Sequence, residues 1–298
     1  MGSPTLKKFT SFLAWLFLTN EEPPRLRVGW RLALQTFTTF LFIIALMAAA
    51  AWSHLLLSFS PEHLLIILQS IGITLAVYTC RKLLDRRSFV SLGLRLNKRA
   101  LTDFLAGAAI SGLALGVLFL GLWVSGLLTV KGVRVDLPML GYWVVIWLFV
   151  GWGEELWARG YWLQNIAEGG HMLGAVIISS IFFGLLHAGN PNITALALVN
   201  LMLAGVYLAW GYVRTRSLWL PIGLHFGWNL FEGTVFGFPV SGISPYAVTK
   251  IAVSGARWLT GGAFGPEGGL VIWGVMAIGA VLVWAVTRHR QEEVPSQS

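Results

Sequence analysis

The chain has 298 residues, of which 56% are hydrophobic and only 11% charged, and its mean hydropathy is +0.72. Soluble domains carry about 25% charged residues, so this composition excludes an ordinary water-soluble fold and is typical of an integral membrane protein. The net charge of +8 comes from short basic segments between apolar runs, which argues against nucleic acid as a partner, and the single cysteine, Cys80, excludes an intrachain disulfide.

The first 31 residues are predicted to form a cytoplasmic and interfacial N-terminal segment. Residues 5–19 place Lys7 and Lys8 beside apolar side chains, a pattern typical of an amphipathic helix that lies in the membrane surface. A polar stretch with two prolines at 21–31 then leads into the first membrane span.

Eight apolar runs follow, and each is long enough to cross a bilayer as a helix. Their continuous apolarity favours helices over the alternating strands of an outer-membrane barrel. We therefore predict an all-α fold, a polytopic membrane helix bundle of about eight transmembrane helices that forms one integral membrane domain over 1–298. The predicted spans are 32–52, 62–80, 103–129, 139–158, 172–188, 195–213, 218–237 and 269–287.

The distribution of basic residues predicts the orientation of the bundle. Lys and Arg cluster in the N-terminal segment, between the second and third spans, at 214–216 and in the tail, whereas the loops 53–61 and 189–194 contain none. Because cytoplasmic loops carry an excess of Lys and Arg, both termini are predicted to be cytoplasmic.

Charged side chains near the middle of a span cost roughly 2.5–3.5 kcal/mol each on insertion scales, so those present need an explanation. In the fourth run, Glu155 and Arg159 are four residues apart, share a helix face and are expected to form an ion pair. Glu154 points about 100° away and is left outside that pair, where it could act as a general base toward water. The structural alternative is a set of ion pairs at a helix end near the headgroups.

Two further motifs place polar side chains on single helix faces. Phe183 and His187 are one turn apart at the end of the fifth run, and His225 and Asn229 are one turn apart in the seventh. Each has a structural alternative, a satisfied interfacial histidine in the first case and an interhelical hydrogen bond of about 1 kcal/mol in the second. Straight-helix counting places His187 near the outer end of its span, farther from the cytoplasm than Glu154 and His225.

Together, the three motifs supply the groups that peptide hydrolysis requires. Glu154 and His187 could activate a water, while His225 and Asn229 could donate hydrogen bonds to the oxyanion. The alternative is a Zn²⁺ ion bound by Glu154, His187 and His225 with an open fourth position. No His-Glu-x-x-His or Gly-x-Ser-x-Gly motif occurs, which argues against zincins and rhomboid-type serine proteases.

The ordered motifs EExxxR at 154–159, FxxxH at 183–187 and HxxxN at 225–229 resemble those of the CAAX prenyl endopeptidase and bacteriocin-processing (CPBP, or ABI) family of intramembrane proteases. The resemblance covers about 140–235, which would form the catalytic core. It implies an eight-helix fold that cleaves a membrane-associated peptide or protein substrate within or beside the lipid bilayer. A prenylated CAAX tail is one candidate substrate, and peptide maturation or self-immunity to a secreted peptide is an equally open role.

The resemblance also implies roles for individual residues. Glu154 would be the water-activating residue with His187, His225 and Asn229 would form the oxyanion side, and the supporting members would be Glu155, Arg159 and Phe183. The family is commonly labelled as metalloproteases, and a metal-free glutamate mechanism is also proposed for it. We favour the metal-free form, with no required cofactor, because Asn229 suits hydrogen bonding better than zinc binding.

Two other functions use the same buried polar residues. Intramembrane Glu, His and Arg also build proton relays in transporters, although we find no internal repeat of the kind that many transporters have. A non-catalytic membrane scaffold could use these residues only to tie helices together.

Overall fold

The computed structural model describes residues 16–53 and 61–290. It is 73% helical and has one small two-stranded sheet, so the predicted all-α helix bundle is confirmed. In chain order the helices are α1 (Val28–Trp52), α2 (Pro61–Leu83), α3 (Lys98–Val124), α4 (Leu137–Glu155), α5 (Leu163–Ala167), α6 (Met172–Leu186), α7 (Ala195–Thr215), α8 (Trp219–Asn229), α9 (Arg257–Thr260) and α10 (Val271–Thr287).

Each of the eight predicted apolar runs contains a helix, but the third, 103–129, leaves the helix after Val124 and ends in an extended segment. Among the described residues, five helices are long and apolar enough to cross a membrane, and the α4 crossing continues without a break to Ala167. The α6 and α10 helices are shorter apolar helices. Residues 5–15 of the predicted interfacial helix lie outside the described residues.

Two helices contain π-helical segments. Leu156–Trp162 joins α4 to α5, and Leu230–Val235 continues α8. Such segments are rare and occur frequently at functional sites. In this chain each begins directly after a residue of a predicted motif, Glu155 in the first case and Asn229 in the second.

The sheet was not predicted from the sequence. Strand β1 (Leu128–Val133) pairs antiparallel with β2 (Thr249–Val253), with a register shift between Val130 and Gly132. The two strands belong to different connections, after α3 and before α9, and their pairing ties these connections together at one end of the bundle.

The opposite end of the bundle, which we call the basic end, is held by buried ion pairs. Asp85 follows α2 and pairs with Arg31 at 2.9 Å and with Arg81 at 3.1 Å. Glu168 follows α5 and pairs with Arg31 at 3.1 Å and with Arg87 at 2.7 Å. These contacts bring the start of α1, the end of α2 and the end of α5 to one place.

The helix that carries His225 and Asn229 is packed backbone to backbone against α3. A Cβ atom at Gly223 would overlap the carbonyl oxygen of Phe104, and one at Gly227 would lie 2.5 Å from the Cα atom of Ala108. Glycine therefore permits a helix approach that any larger residue would prevent.

We expect Gly223→Ala to destabilise the protein by about 1–3 kcal/mol, because the added methyl group overpacks this contact. The measurement is thermal unfolding in detergent. The matched control is Gly274→Ala in α10, where an added Cβ meets nothing within 4 Å. An equal loss in both variants would contradict the assigned role of the α3–α8 contact.

Candidate active site

The three motifs meet on three helices in the interior of the bundle. Glu154 lies near the end of α4, His187 caps the C-terminus of α6, and His225 lies within α8. Glu154 Oε2 is 3.6 Å from His187 Nε2 and 3.9 Å from His225 Nε2. Both distances exceed a direct hydrogen bond, and this oxygen has no hydrogen-bond partner among the described residues. A water to one side of these three groups could hydrogen-bond to Glu154 Oε2 and to a histidine Nε2 atom at once.

Glu155 lies behind these groups and links Arg159 to His225. Its fully buried Oε1 accepts a hydrogen bond from Arg159 Nη1 at 2.8 Å and lies 3.0 Å from His225 Nδ1. The predicted Glu155–Arg159 ion pair is therefore confirmed. Arg159 also donates to the carbonyl oxygen of Gly205 at 2.8 Å, and its guanidinium lies 4.3 Å from the ring centroid of Phe183.

The position of His187 corrects the depth expected from straight-helix counting. That expectation was wrong because α6 has only 15 residues and spans about 22 Å, less than a membrane crossing. His187 therefore lies at the level of Glu154. Its Nδ1 is 2.9 Å from the carbonyl oxygen of Phe183, which turns Nε2 toward Glu154.

A cavity of about 770 Å³ opens beside these groups. Glu154, His187, His225 and Asn229 all line it, so the structure brings the four predicted catalytic side chains to one space. The cavity wall is otherwise largely aromatic and aliphatic, including Trp143, which is suited to exclude bulk water and to contact an apolar peptide.

Sequence reasoning missed a glutamate that lines the same cavity. Glu267 comes from the loop after α9, and its carboxylate accepts hydrogen bonds from Trp228 Nε1 at 3.0 Å and from the backbone N–H and the hydroxyl of Ser241, both at 2.6 Å. Asn190 donates to the carbonyl oxygen of Ser241 at 3.0 Å. This chain of bonds fixes the 240–244 segment against the loop that follows His187. A lone acid in a glycine-rich loop gives no sequence signal for such a role.

Ser70 of α2 is a second cavity-lining residue that the motifs do not include. It is buried, and its Oγ has no partner among the described residues. Gly153 permits the approach, because a Cβ atom there would lie 2.9 Å from Ser70 Oγ. The α2 helix therefore presents an unpaired hydroxyl next to the turn that carries Glu154.

Three of the predicted site residues have side chains that can serve as metal ligands. Within the described part of the chain, no group of three or more His, Cys, Asp or Glu side chains is arranged to hold a metal ion. Both histidines place their Nδ1 atoms against oxygen acceptors, which leaves their Nε2 atoms directed toward Glu154. The donor set suggested for zinc, Glu154, His187 and His225, has its Oε2 and two Nε2 atoms facing one another, so zinc stays an alternative to the metal-free form.

Comparison with protein families locates the site in a known domain. Residues 136–231 match the family described as Rce1-like, type II CAAX prenyl endopeptidase Rce1-like, and this range includes all three motifs. No curated protein matches the chain. The match confirms the resemblance to the CPBP family over residues 136–231 of this integral membrane protein.

Proposed function

We propose that the protein is an intramembrane endopeptidase that hydrolyses a peptide bond of a membrane-associated substrate with a water activated by Glu154 and His187. The observation that carries this proposal is the gap of 3.6–3.9 Å between Glu154 Oε2 and the two histidine Nε2 atoms, at the wall of a largely apolar cavity. The family of the matched domain supports the same reaction class. A prenylated peptide is one member of this substrate class.

In this mechanism the water lies between Glu154 and His187. The Nδ1–H of His187 donates to the carbonyl of Phe183, so Nε2 accepts a hydrogen bond from the water and orients it. As the water oxygen bonds to the carbonyl carbon of the scissile peptide, one water proton passes to the Glu154 carboxylate. General-base catalysis of this kind contributes about 10²–10⁴-fold.

The negative charge that develops on the carbonyl oxygen requires donors on the other side of the substrate. His225 in its imidazolium form, whose Nδ1 donates to the Glu155 oxygen that also accepts from Arg159, donates from Nε2, and the amide of Asn229 donates a second hydrogen bond. Loss of one such donor costs about 10²–10³-fold in rate. When the tetrahedral intermediate collapses, the C–N bond breaks and the proton held by Glu154 passes to the leaving nitrogen.

Chelation provides the test of the metal-free form. Purified protein in detergent would be assayed with a fluorogenic prenylated CAAX peptide and its unprenylated counterpart, with and without a strong chelator. We expect the cleavage rate to be unchanged by the chelator, because no step uses a metal. Loss of activity that added Zn²⁺ restores would overturn the metal-free mechanism and retain the protease. Absence of cleavage of a broad set of membrane peptides would overturn the proposed function itself.

A further inference from the structure

Ser70 places a buried hydroxyl in the cavity wall. The residue is 3% exposed and lines the cavity, yet its Oγ has no hydrogen-bond partner among the described residues. Serine and threonine hydroxyls inside helices can donate to the carbonyl oxygen four residues earlier. Thr74 of the same helix does so, and donates to the carbonyl oxygen of Ser70 at 2.7 Å. Because a buried hydroxyl without a partner is costly, Ser70 is placed to bond to a group that enters the cavity.

Contacts between α2 and α4 fix the position of this hydroxyl. A Cβ atom on Gly153 would lie 2.9 Å from Ser70 Oγ, so glycine leaves the room that the hydroxyl needs. One turn farther along α2, Thr74 Oγ1 accepts a hydrogen bond from Trp152 Nε1 at 2.9 Å. Trp152 and Gly153 directly precede Glu154 in the sequence. The hydroxyl is therefore held beside the turn that carries the proposed base.

Ser70 and the two oxyanion donors lie on opposite sides of α4. Gly153 contacts α2, whereas a Cβ atom on Gly151 would lie 3.1 Å from the backbone nitrogen of Phe226 in α8. Positions two residues apart in an α-helix differ by about 200°, so α2 and α8 contact nearly opposite faces of α4. Glu154 follows Gly153 by about 100° and projects between these faces. A substrate at Glu154 therefore lies between the α8 wall, which carries the oxyanion donors, and the α2 wall, which carries Ser70.

An extended peptide presents carbonyl groups to both of these walls. In an extended chain, successive peptide carbonyl groups point to opposite edges. When the scissile carbonyl points to His225 and Asn229, the carbonyl groups of the two flanking peptide units therefore point to α2. Each needs a hydrogen-bond partner in a largely apolar cavity. The Ser70 hydroxyl can supply one, because rotation about its Cα–Cβ bond carries it between staggered positions and so toward the peptide.

We propose that Ser70 binds the substrate backbone by donating a hydrogen bond to the carbonyl oxygen of a peptide unit next to the scissile bond. This inference rests on the proposed protease function, which identifies the bound peptide as a substrate. It adds a substrate-binding residue from α2, outside the matched segment 136–231, and it means that the substrate binds in an extended conformation. Because the contact is to the main chain, it holds the peptide in register without selecting among side chains.

Ser180 of α6 provides a matched control. It is also a buried serine that packs against a glycine, Gly205, and whose Oγ has no partner among the described residues, but it lies outside the cavity wall. Ser70→Ala should lower kcat/KM for peptide cleavage about fivefold, which corresponds to one neutral hydrogen bond of about 1 kcal/mol. Ser180→Ala should leave kcat/KM unchanged, and neither variant should lower the midpoint of thermal unfolding. Equal rate losses in both variants, or a lower midpoint in Ser70→Ala, would overturn the role of Ser70.

Binding to a protein that lacks the base locates the hydrogen bond on the peptide. Glu154→Gln and Glu154→Gln/Ser70→Ala would be titrated with a fluorescent prenylated CAAX peptide and with analogues in which each peptide bond is replaced in turn by an ester, whose carbonyl is a weaker acceptor. At least one analogue should bind Glu154→Gln about fivefold more weakly than the parent peptide, and the double variant should bind that analogue and the parent equally.

The outcomes separate this inference from the protease proposal. Ester losses that are the same in both proteins, or no binding of any of the peptides to Glu154→Gln, would overturn the contact between Ser70 and the substrate backbone. Binding that depends on Ser70, in a protein whose wild type cleaves no peptide, would retain the contact and contradict the protease proposal alone.

Discussion

Glu154→Gln should lower kcat/KM for peptide cleavage by about 10²–10⁴-fold, because the amide cannot accept a proton from water. The change should leave stability nearly unaffected. Glu154 Oε2 has no hydrogen-bond partner among the described residues, so the substitution breaks no structural bond there. The measurement is cleavage of a fluorogenic peptide by purified protein, together with the midpoint of thermal unfolding in the same detergent.

The matched control is Glu22→Gln, the same chemical change at an exposed position in the polar lead-in to α1. It should leave both rate and stability unchanged. His187→Gln alone should also reduce the cleavage rate. The Glu154→Gln/His187→Gln double variant should cleave only slightly more slowly than Glu154→Gln, because the rate losses of two residues that act on one water do not add. A Glu154→Gln variant that keeps more than a tenth of the wild-type rate would exclude Glu154 as the base.

Glu155→Ala should destabilise the protein by about 3–5 kcal/mol and also abolish activity. The carboxylate is fully buried and contacts both Arg159 and His225. Its removal leaves the buried guanidinium of Arg159 without its ion-pair partner, and an uncompensated buried charge has a cost of this size. Thermal unfolding in detergent is the measurement.

A double variant separates the structural role of the pair from its role in the site. Glu155→Leu combined with Arg159→Met removes both charges and keeps apolar volume, so stability should recover most of the loss seen in Glu155→Ala. Activity should not recover, because His225 still lacks the carboxylate that orients its Nδ1. Recovery of cleavage in the double variant would show that Glu155 acts only through Arg159.

Local patterns in the sequence were sufficient for the helices and for part of the site. The eight apolar runs correspond to helices, and the four-residue spacing of Glu155 and Arg159 predicts their ion pair correctly, because both features depend on neighbours within one helix. The position of His187 depends on where α6 ends and how it tilts against its neighbours, and periodicity carries no information about either.

The parts that could not be predicted depend on contacts between distant segments. Strands β1 and β2 are separated along the chain by most of its second half, yet they pair. Glu267 likewise reaches the cavity from a loop that lies well after its partner Trp228 in the sequence. The residue types in Leu156–Trp162 do not distinguish this π-helical segment from an ordinary α-helix. Long-range partners of this kind are fixed only by the folded bundle.

The cavity is built from three separate parts of the chain, namely α1 with α2, the matched segment 136–231, and the later residues 240–244 with Glu267. Glu154, His187, His225 and Asn229 lie within the matched segment 136–231, whereas much of the opposite wall comes from α1 and α2, two helices that pack against each other outside that segment. The α8 helix packs closely against α3 through glycine contacts, which limits movement of the predicted catalytic residues His225 and Asn229. Substitutions on the cavity-facing sides of α1 and α2 are therefore expected to change which peptides are cleaved without moving the four predicted catalytic side chains.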